Sequence, residues 1–233
     1  MLDFKRHRFP GTAIIMAVRW YLRYRLSLED ITELLLERGV NVSREAVREW
    51  VQKFGPRIVA FLDKKRRRVG GRWHVDETYV KVAGVWKYVY RAVDDDMEVI
   101  DIYVSENRDK AAAKKFFKKC RKTAGRKPFS VWSDSHQGYD QTKKLFPKVR
   151  HHKIKCLNNK VESSHVPLKQ RYRPMRGFKN IDRMRIFLES FESLYRFFRK
   201  VPPKNRNMRD VFKEKLQEFN ALLCPNYSTS SAE

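Results

Sequence analysis

Trp73-His74-Val75-Asp76-Glu77-Thr78-Tyr79-Val80-Lys81-Val82 is followed, after Ala83-Gly84, by Val85-Trp86-Lys87-Tyr88-Val89-Tyr90-Arg91-Ala92-Val93. Both runs are rich in Val, Tyr and Trp, and the Ala-Gly pair between them predicts a hairpin. A turn through Asp94, Asp95 and Asp96 leads to a third strand over Val99 to Val104. Downstream, the pattern changes. Asp109 can cap a helix running through Ala111, Phe116 and Phe117 to Cys120, and Phe129 to Ser133 is a short strand after Pro128. A helix from Tyr139 to Phe146 ends at Pro147, and Val149 to His152 reads as a further strand. Asn158 and Asn159 then open a helix carrying Val161, Glu162, His165 and Lys169.

Three consecutive strands followed by helices alternating with short strands give an α/β fold, a mixed sheet covered by helices. That order is what an RNase H-like fold requires, and it is expected over residues 72–200. A long helix from Asn180 to Phe198, with Ile181, Met184, Phe187, Leu188, Phe191, Leu194 and Tyr195 on one face, is expected to lie across this sheet. Residues 201–233 supply a last helix from Met208 to Leu222 and a Ser-rich end, from Ser228, expected to be disordered.

Upstream, residues 1–62 read as all-α. Gly11 to Arg25 has helical spacing, and Ser27 with Asp30 forms an N-cap and acidic first-turn pair before Leu28, Ile31, Leu34 and Leu35. Ser43 caps a third helix to about Phe54, with Val47, Trp50, Val51 and Phe54 forming its apolar stripe. Arg44, Arg48, Gln52 and Lys53 fall on the opposite side. Such a pair of helices around a Gly-containing turn is the layout of a helix-turn-helix DNA reader, the expectation for residues 1–62, with a three-helix bundle bearing a basic solvated face as the alternative. Lys64 to Arg68 and Gly70-Gly71 make residues 63–71 a basic linker.

The chain holds 52 Lys and Arg against 27 Asp and Glu, a formal charge of +25. Its isoelectric point is near 10.2. This balance favours a polyanionic partner, nucleic acid first, while a merely basic soluble protein fits the charge alone. Cys120, Cys156 and Cys224 are odd in number and far apart, which suggests neither a disulfide framework nor a zinc ribbon. The apolar stretch Ala13 to Val18 is too short to span a bilayer, so a cytoplasmic, nucleoid-associated protein is expected.

Cutting and joining a phosphodiester calls for two divalent ions roughly 3.5–4 Å apart, held by carboxylates on rigid elements. Asp76 lies within a strand, where an acid is costly unless paired, coordinated or solvated. Asp134 stands where its strand stops, and Glu162 lies on the following helix. Their hard oxygens suit Mg²⁺ or Mn²⁺. Glu162, His165 and Lys169 share one helical face with Asn159. His165 and Asn159 read as supporting residues around the acids, with metal ligation open for His165, and Lys169 as a phosphate contact. His74 and His136 each lie two residues from an acid.

The quoted stretch, with Asn107-Arg108-Asp109, Ser133-Asp134, Lys155 to Glu162, His165 to Arg171, Arg173-Pro174-Met175 and Gly177-Phe178-Lys179, resembles DDE-type insertion-sequence transposases, closest to the insertion-sequence-six family. The likeness covers residues 5 to 200. It implies Asp76, Asp134 and Glu162 as catalytic, metal-binding acids, Mg²⁺ (or Mn²⁺) as cofactor with two ions per site, and an N-terminal reader of terminal inverted repeats. It also implies DNA contacts by Lys169 and Arg171, target DNA as second substrate, and a homodimer or larger assembly. The second and third acids are closer together than in most bacterial members. The shortfall lies between Phe146 and His151, where a connector can shrink without moving either acid. Two other readings stay open: an RNase H-like nuclease, and a domesticated transposase acting as a DNA-binding regulator.

Overall fold

A computed structural model describes residues 4, 7–153, 159–199 and 207–223. Its residues divide by contact into two compact units, Met1–Arg66 with Ile186–Glu233, and Arg67–Arg185.

The first unit opens with α1 (Gly11–Arg23), α2 (Leu28–Leu36) and α3 (Arg44–Leu62). The start of α2 is fixed by a reciprocal pair: Ser27 Oγ accepts from Asp30 N at 3.0 Å, and Ser27 N donates to Asp30 Oδ2 at 2.7 Å. Ser43 Oγ accepts from Ala46 N at 3.2 Å and caps α3. The expected stop at Phe54 is corrected, because α3 continues through Pro56 to Leu62. A residue before proline normally avoids helical geometry through a clash at its Cβ. Here that residue is Gly55, which has no Cβ.

In the second unit, β1 (Arg72–Val82), β2 (Val85–Val93) and β3 (Val99–Ser105) form an antiparallel meander. Ala83 and Gly84 have φ of 47° and 82°, the pair of left-handed residues that a two-residue hairpin requires. α4 (Lys110–Ala124) crosses to β4 (Ser130–Ser133), parallel to β1, and α5 (Gln141–Leu145) leads to β5 (Arg150–Lys153), parallel to β4. The sheet order is β3-β2-β1-β4-β5. This mixed sheet, with three strands in succession and the later two added beside β1, is the RNase H-like arrangement. One face packs on α4 through Trp73, Val75, Tyr90, Ala92, Phe116, Phe117 and Tyr139. α6 (Asn159–Tyr172) lies against β1 and β2.

Gly177 and Phe178 clamp the far end of β1. Phe178 N donates to Lys81 O at 2.8 Å and Ala83 N donates to Phe178 O at 2.6 Å. Gly177 has φ of 100°, and a Cβ there would lie 2.8 Å from Lys81 O. Only glycine fits both the dihedral and the approach.

The last helices among the described residues are α7 (Ile181–Phe198) and α8 (Met208–Leu223). From Ile186 onward α7, expected to lie across the sheet, groups by contact with the N-terminal helices. The cause is local packing. Phe187 meets Tyr21 edge-on at 6.0 Å, and a Cβ on Gly55 would fall 2.6 Å from Ser190 Oγ, so α3 and α7 approach closely. Lys215 of α8 donates to Phe197 O at 2.7 Å and Arg199 O at 3.1 Å, satisfying carbonyls at the end of α7. Among the described residues no helix is long and apolar enough to cross a membrane. Cys120 is a buried free thiol, while Cys156, Cys224 and the Ser-rich end lie outside the described residues.

Candidate active site

The parallel pairing of β1 with β4 places His74 opposite Trp132. Two positions beyond that pair stand Asp76, within β1, and Asp134, just past the end of the neighbouring β4. Strand alternation turns Asp76 toward α6, where His165 Nε2 lies 3.6 Å from Asp76 Oδ2. Across β2 the partner of Asp76 is the fully buried Arg91. Because β4 stops at Ser133, Asp134 turns free of the ladder, and its Oδ1 accepts from His136 N at 3.0 Å.

Carboxylate oxygens of Asp76, Glu77 and Asp134 all lie within 4.8 Å of one another. Glu77 is the member that sequence reasoning missed. It points to the α4 side of β1, where its buried carboxylate accepts a hydrogen bond from Tyr139 Oη and pairs with Arg108. Arg108 Nη2 also reaches Asp134 Oδ2 at 3.5 Å. The three acids differ in access: side-chain exposure is 35% for Asp134, 20% for Asp76 and 3% for Glu77. A hard divalent ion is suited by such an all-oxygen donor set with two solvent-facing members. Neighbouring Asn107-Arg108-Asp109 was the one available signal for Arg108, but its sequence separation from Glu77 hides the pairing.

Glu162 is not part of this group. It is exposed on α6, one turn before His165, on the face that reaches Asp76. Lys169 is half-buried on the same helix. Arg171, expected to contact DNA, is 3% exposed and is buried on α6 together with Leu168 and Tyr172. Tyr172 Oη donates to Tyr79 O at 2.8 Å, anchoring the same face to β1. The side chain of Asn159 lies outside the described residues. In the N-terminal unit, Arg44, Arg48 and Lys53 are exposed and Gln52 half-buried. Arg44 pairs with Glu29 at 2.9 Å, Arg48 pairs with Glu45, and Lys53 Nζ lies 2.9 Å from His7 Nε2.

The electrostatics follow from burial. Loss of solvent raises the Glu77 carboxyl above its ordinary value, opposed by the Tyr139 hydrogen bond and Arg108, and reinforced by the charges of Asp76 and Asp134. Burial likewise pushes the Tyr139 phenol well above 10. His165 is held below its ordinary value by burial, Asp76 opposing this and Arg91 adding to it. Burial and the Arg108 charge lower His136. His74 is committed elsewhere: its Nε2 is 2.9 Å from Asp95 Oδ1, which Lys160 Nζ also approaches at 2.9 Å.

A family model described as a DDE domain matches residues 70–217. The chain is 35% identical over 218 residues to the transposase for insertion sequence-like element IS431mec of Staphylococcus aureus strain Mu50, covering 90% of this chain and 92% of that protein. It is 34% identical, over the same shares, to the transposase for insertion sequence element IS257 in transposon Tn4003 of Staphylococcus aureus. Among solved structures it is similar to the HTLV-2 integrase catalytic core domain in complex with magnesium, at 12% identity and TM-score 0.40 over 63% of this chain and 98% of that one. It is also similar to a chain of the simian T-cell lymphotropic virus intasome in complex with a PP2A regulatory subunit, at 14% identity and TM-score 0.45 over 62% and 54%. The chain belongs to the DDE transposases of the insertion-sequence-six family, polynucleotidyl transferases that cleave DNA and join strands.

Proposed function

We propose that Asp76, Asp134 and Glu162 are the catalytic acids of this transposase, acting on DNA ends that the N-terminal helices recognise. The observation that carries the reading is the position of Asp76 within β1 beside Asp134, just past the end of the parallel neighbour β4, their carboxylates clustered and open to solvent. Glu162 supplies the third acid from α6, on the face where His165 already meets Asp76. These carboxylates would hold Mg²⁺ or Mn²⁺, two ions per site, which when bound would polarise a phosphoryl oxygen and activate the attacking hydroxyl.

The protein's own groups orient the acids. The Arg108 guanidinium offsets the charge of Asp134 and Glu77, and the His136 amide fixes one oxygen of Asp134. His165 limits the rotation of Asp76 from the helix side. In strand transfer a freed 3′ hydroxyl attacks a target phosphodiester. One P–O bond forms, one breaks, and the leaving 3′ oxygen takes up a proton, so no covalent bond to the protein is needed. Arg44, Arg48, Gln52 and Lys53 on α3 read the terminal inverted repeats, and Lys169 holds a phosphate near the acids. Two ends must be held together, which calls for a dimer or larger assembly.

The test is an incubation of purified protein and Mg²⁺ with a labelled inverted-repeat end and a plasmid target. Joined product supports the reading. Cleavage without joining assigns a nuclease, and binding without either assigns a regulator.

A further inference from the structure

α4 turns Ala112, Ala113, Phe116, Phe117 and Cys120 into the core and leaves its other side to solvent. That outer side carries Lys110, Lys114, Lys115, Lys118, Arg121 and Lys122, all exposed, and the helix contains no Asp or Glu. At about 100° per residue, Lys110, Lys114, Lys118 and Arg121 fall within an arc of about 80°. They run for about 17 Å along the helix, the length of roughly five base steps of one DNA strand.

Like charges at i and i+4 repel, so Lys110, Lys114, Lys118 and Lys122 make a succession of unfavourable pairs unless a counter-charge covers them. Inside the fold none does: among the described residues these six cations have no ion pair or hydrogen-bond partner. Lys119, on the sheet-facing flank, shows the contrast. It pairs with Asp101 at 3.3 Å and donates to Ile102 O at 2.9 Å.

The stripe also begins at a telling place. Lys110 follows Asp109, the cap of α4, and Arg108, whose guanidinium touches Asp134 and Glu77. A cluster of carboxylates repels DNA phosphates, and a row of cations leading away from it offsets that repulsion.

We propose that the outer face of α4 is a phosphate-binding track for duplex DNA leading to the acidic cluster. The proposal rests on the catalytic reading above for its direction, but not for its readout. Charge of this kind binds without sequence preference and releases condensed counterions, which gives a defined salt signature.

The experiment uses the full chain with Lys114→Gln, Lys118→Gln and Arg121→Gln combined, and a labelled mixed-sequence duplex in metal-free buffer. Fluorescence anisotropy across a salt series gives the slope of log K against log salt. Loss of these contacts lowers that slope by about 2 to 3, near 0.9 for each phosphate contact removed. The singly changed Lys114→Gln and Lys118→Gln proteins, each lowering it by about 1, carry the test if the triple variant is unfolded by circular dichroism. A wild-type slope in the folded variants overturns the track, as does an unchanged slope with lost self-association, which assigns the face to a second copy. Either leaves the catalytic reading standing. Joining by an Asp76→Asn protein would do the reverse.

Discussion

Arg108 Nη2 lies 3.5 Å from Asp134 Oδ2 while the same guanidinium pairs with the buried Glu77, so one cation ties an open carboxylate to a closed one. Removing Arg108 strands a carboxylate that is 3% exposed. Arg108→Gln is expected to cost about 2–3 kcal/mol in urea unfolding, as for a charged group losing its hydrogen-bond partner. Glu77→Gln should cost less, because an amide retains the Tyr139 contact. The double variant should fall short of the sum by roughly 1–3 kcal/mol. Additive costs would show that the two groups do not act as a pair.

Gly177→Ala forces a Cβ into a backbone with φ of 100° and to within 2.8 Å of Lys81 O. Neither can yield, since a Cβ is fixed by the backbone that carries it and the oxygen it meets is main chain. Thermal unfolding should report a loss of about 1–3 kcal/mol, whereas Gly39→Ala, with a similar positive φ but open space around it, should lose less.

His151 supplies a pH dependence. Its Nε2 lies 2.8 Å from Ser133 Oγ, and burial, with Lys153, lowers its pKa from 6.5 to about 4. Between those values the unfolded chain binds a proton that the folded chain refuses, so stability rises with pH across that window and is fully present above it. Partial exposure reduces the effect to roughly 1–2 kcal/mol. Urea midpoints of wild type should climb from pH 4.5 to 6.5 more steeply than those of His151→Gln. Parallel curves would remove His151 from the account.

On α3, Arg44 and Arg48 are exposed and held only by surface pairs with Glu29 and Glu45. Such pairs contribute about 0–1 kcal/mol, so Arg44→Ala and Arg48→Ala should leave thermal unfolding nearly unchanged. If α3 reads base edges, each should weaken binding to an inverted-repeat duplex by about 1–3 kcal/mol while leaving mixed-sequence binding less affected. Equal losses on both duplexes would reduce them to phosphate contacts.

The parts legible in the sequence are those with local causes. The Ala83-Gly84 hairpin, the Ser27 and Asp30 reciprocal cap and the Asp109 cap are each written within a few residues, and each forms as expected. Asp76 and Asp134 could be paired because the order of strands makes their strands neighbours. What escaped depends on contacts distant in sequence. Glu77 was concealed by alternation, which turns it to the opposite face from Asp76 before its longer side chain reaches back toward Asp134. The continuation of α3 past the expected end at Phe54 depends on the tolerance of Gly55 for helical geometry before Pro56, which is not a periodic signal. The apolar stripe of α7 announced burial without naming its partner, and Arg171 looked like a surface cation until the phase of α6 turned it inward.

The central claim is that Asp76 and its two partner acids perform joining without being required for recognition. Asp76→Asn keeps the shape and removes the charge. The decisive measurement scores joined product from a labelled inverted-repeat end with Mg²⁺, alongside a mobility shift on the same duplex. The account predicts an undiminished shift and no joined product. Joined product at the wild-type rate from Asp76→Asn would contradict it.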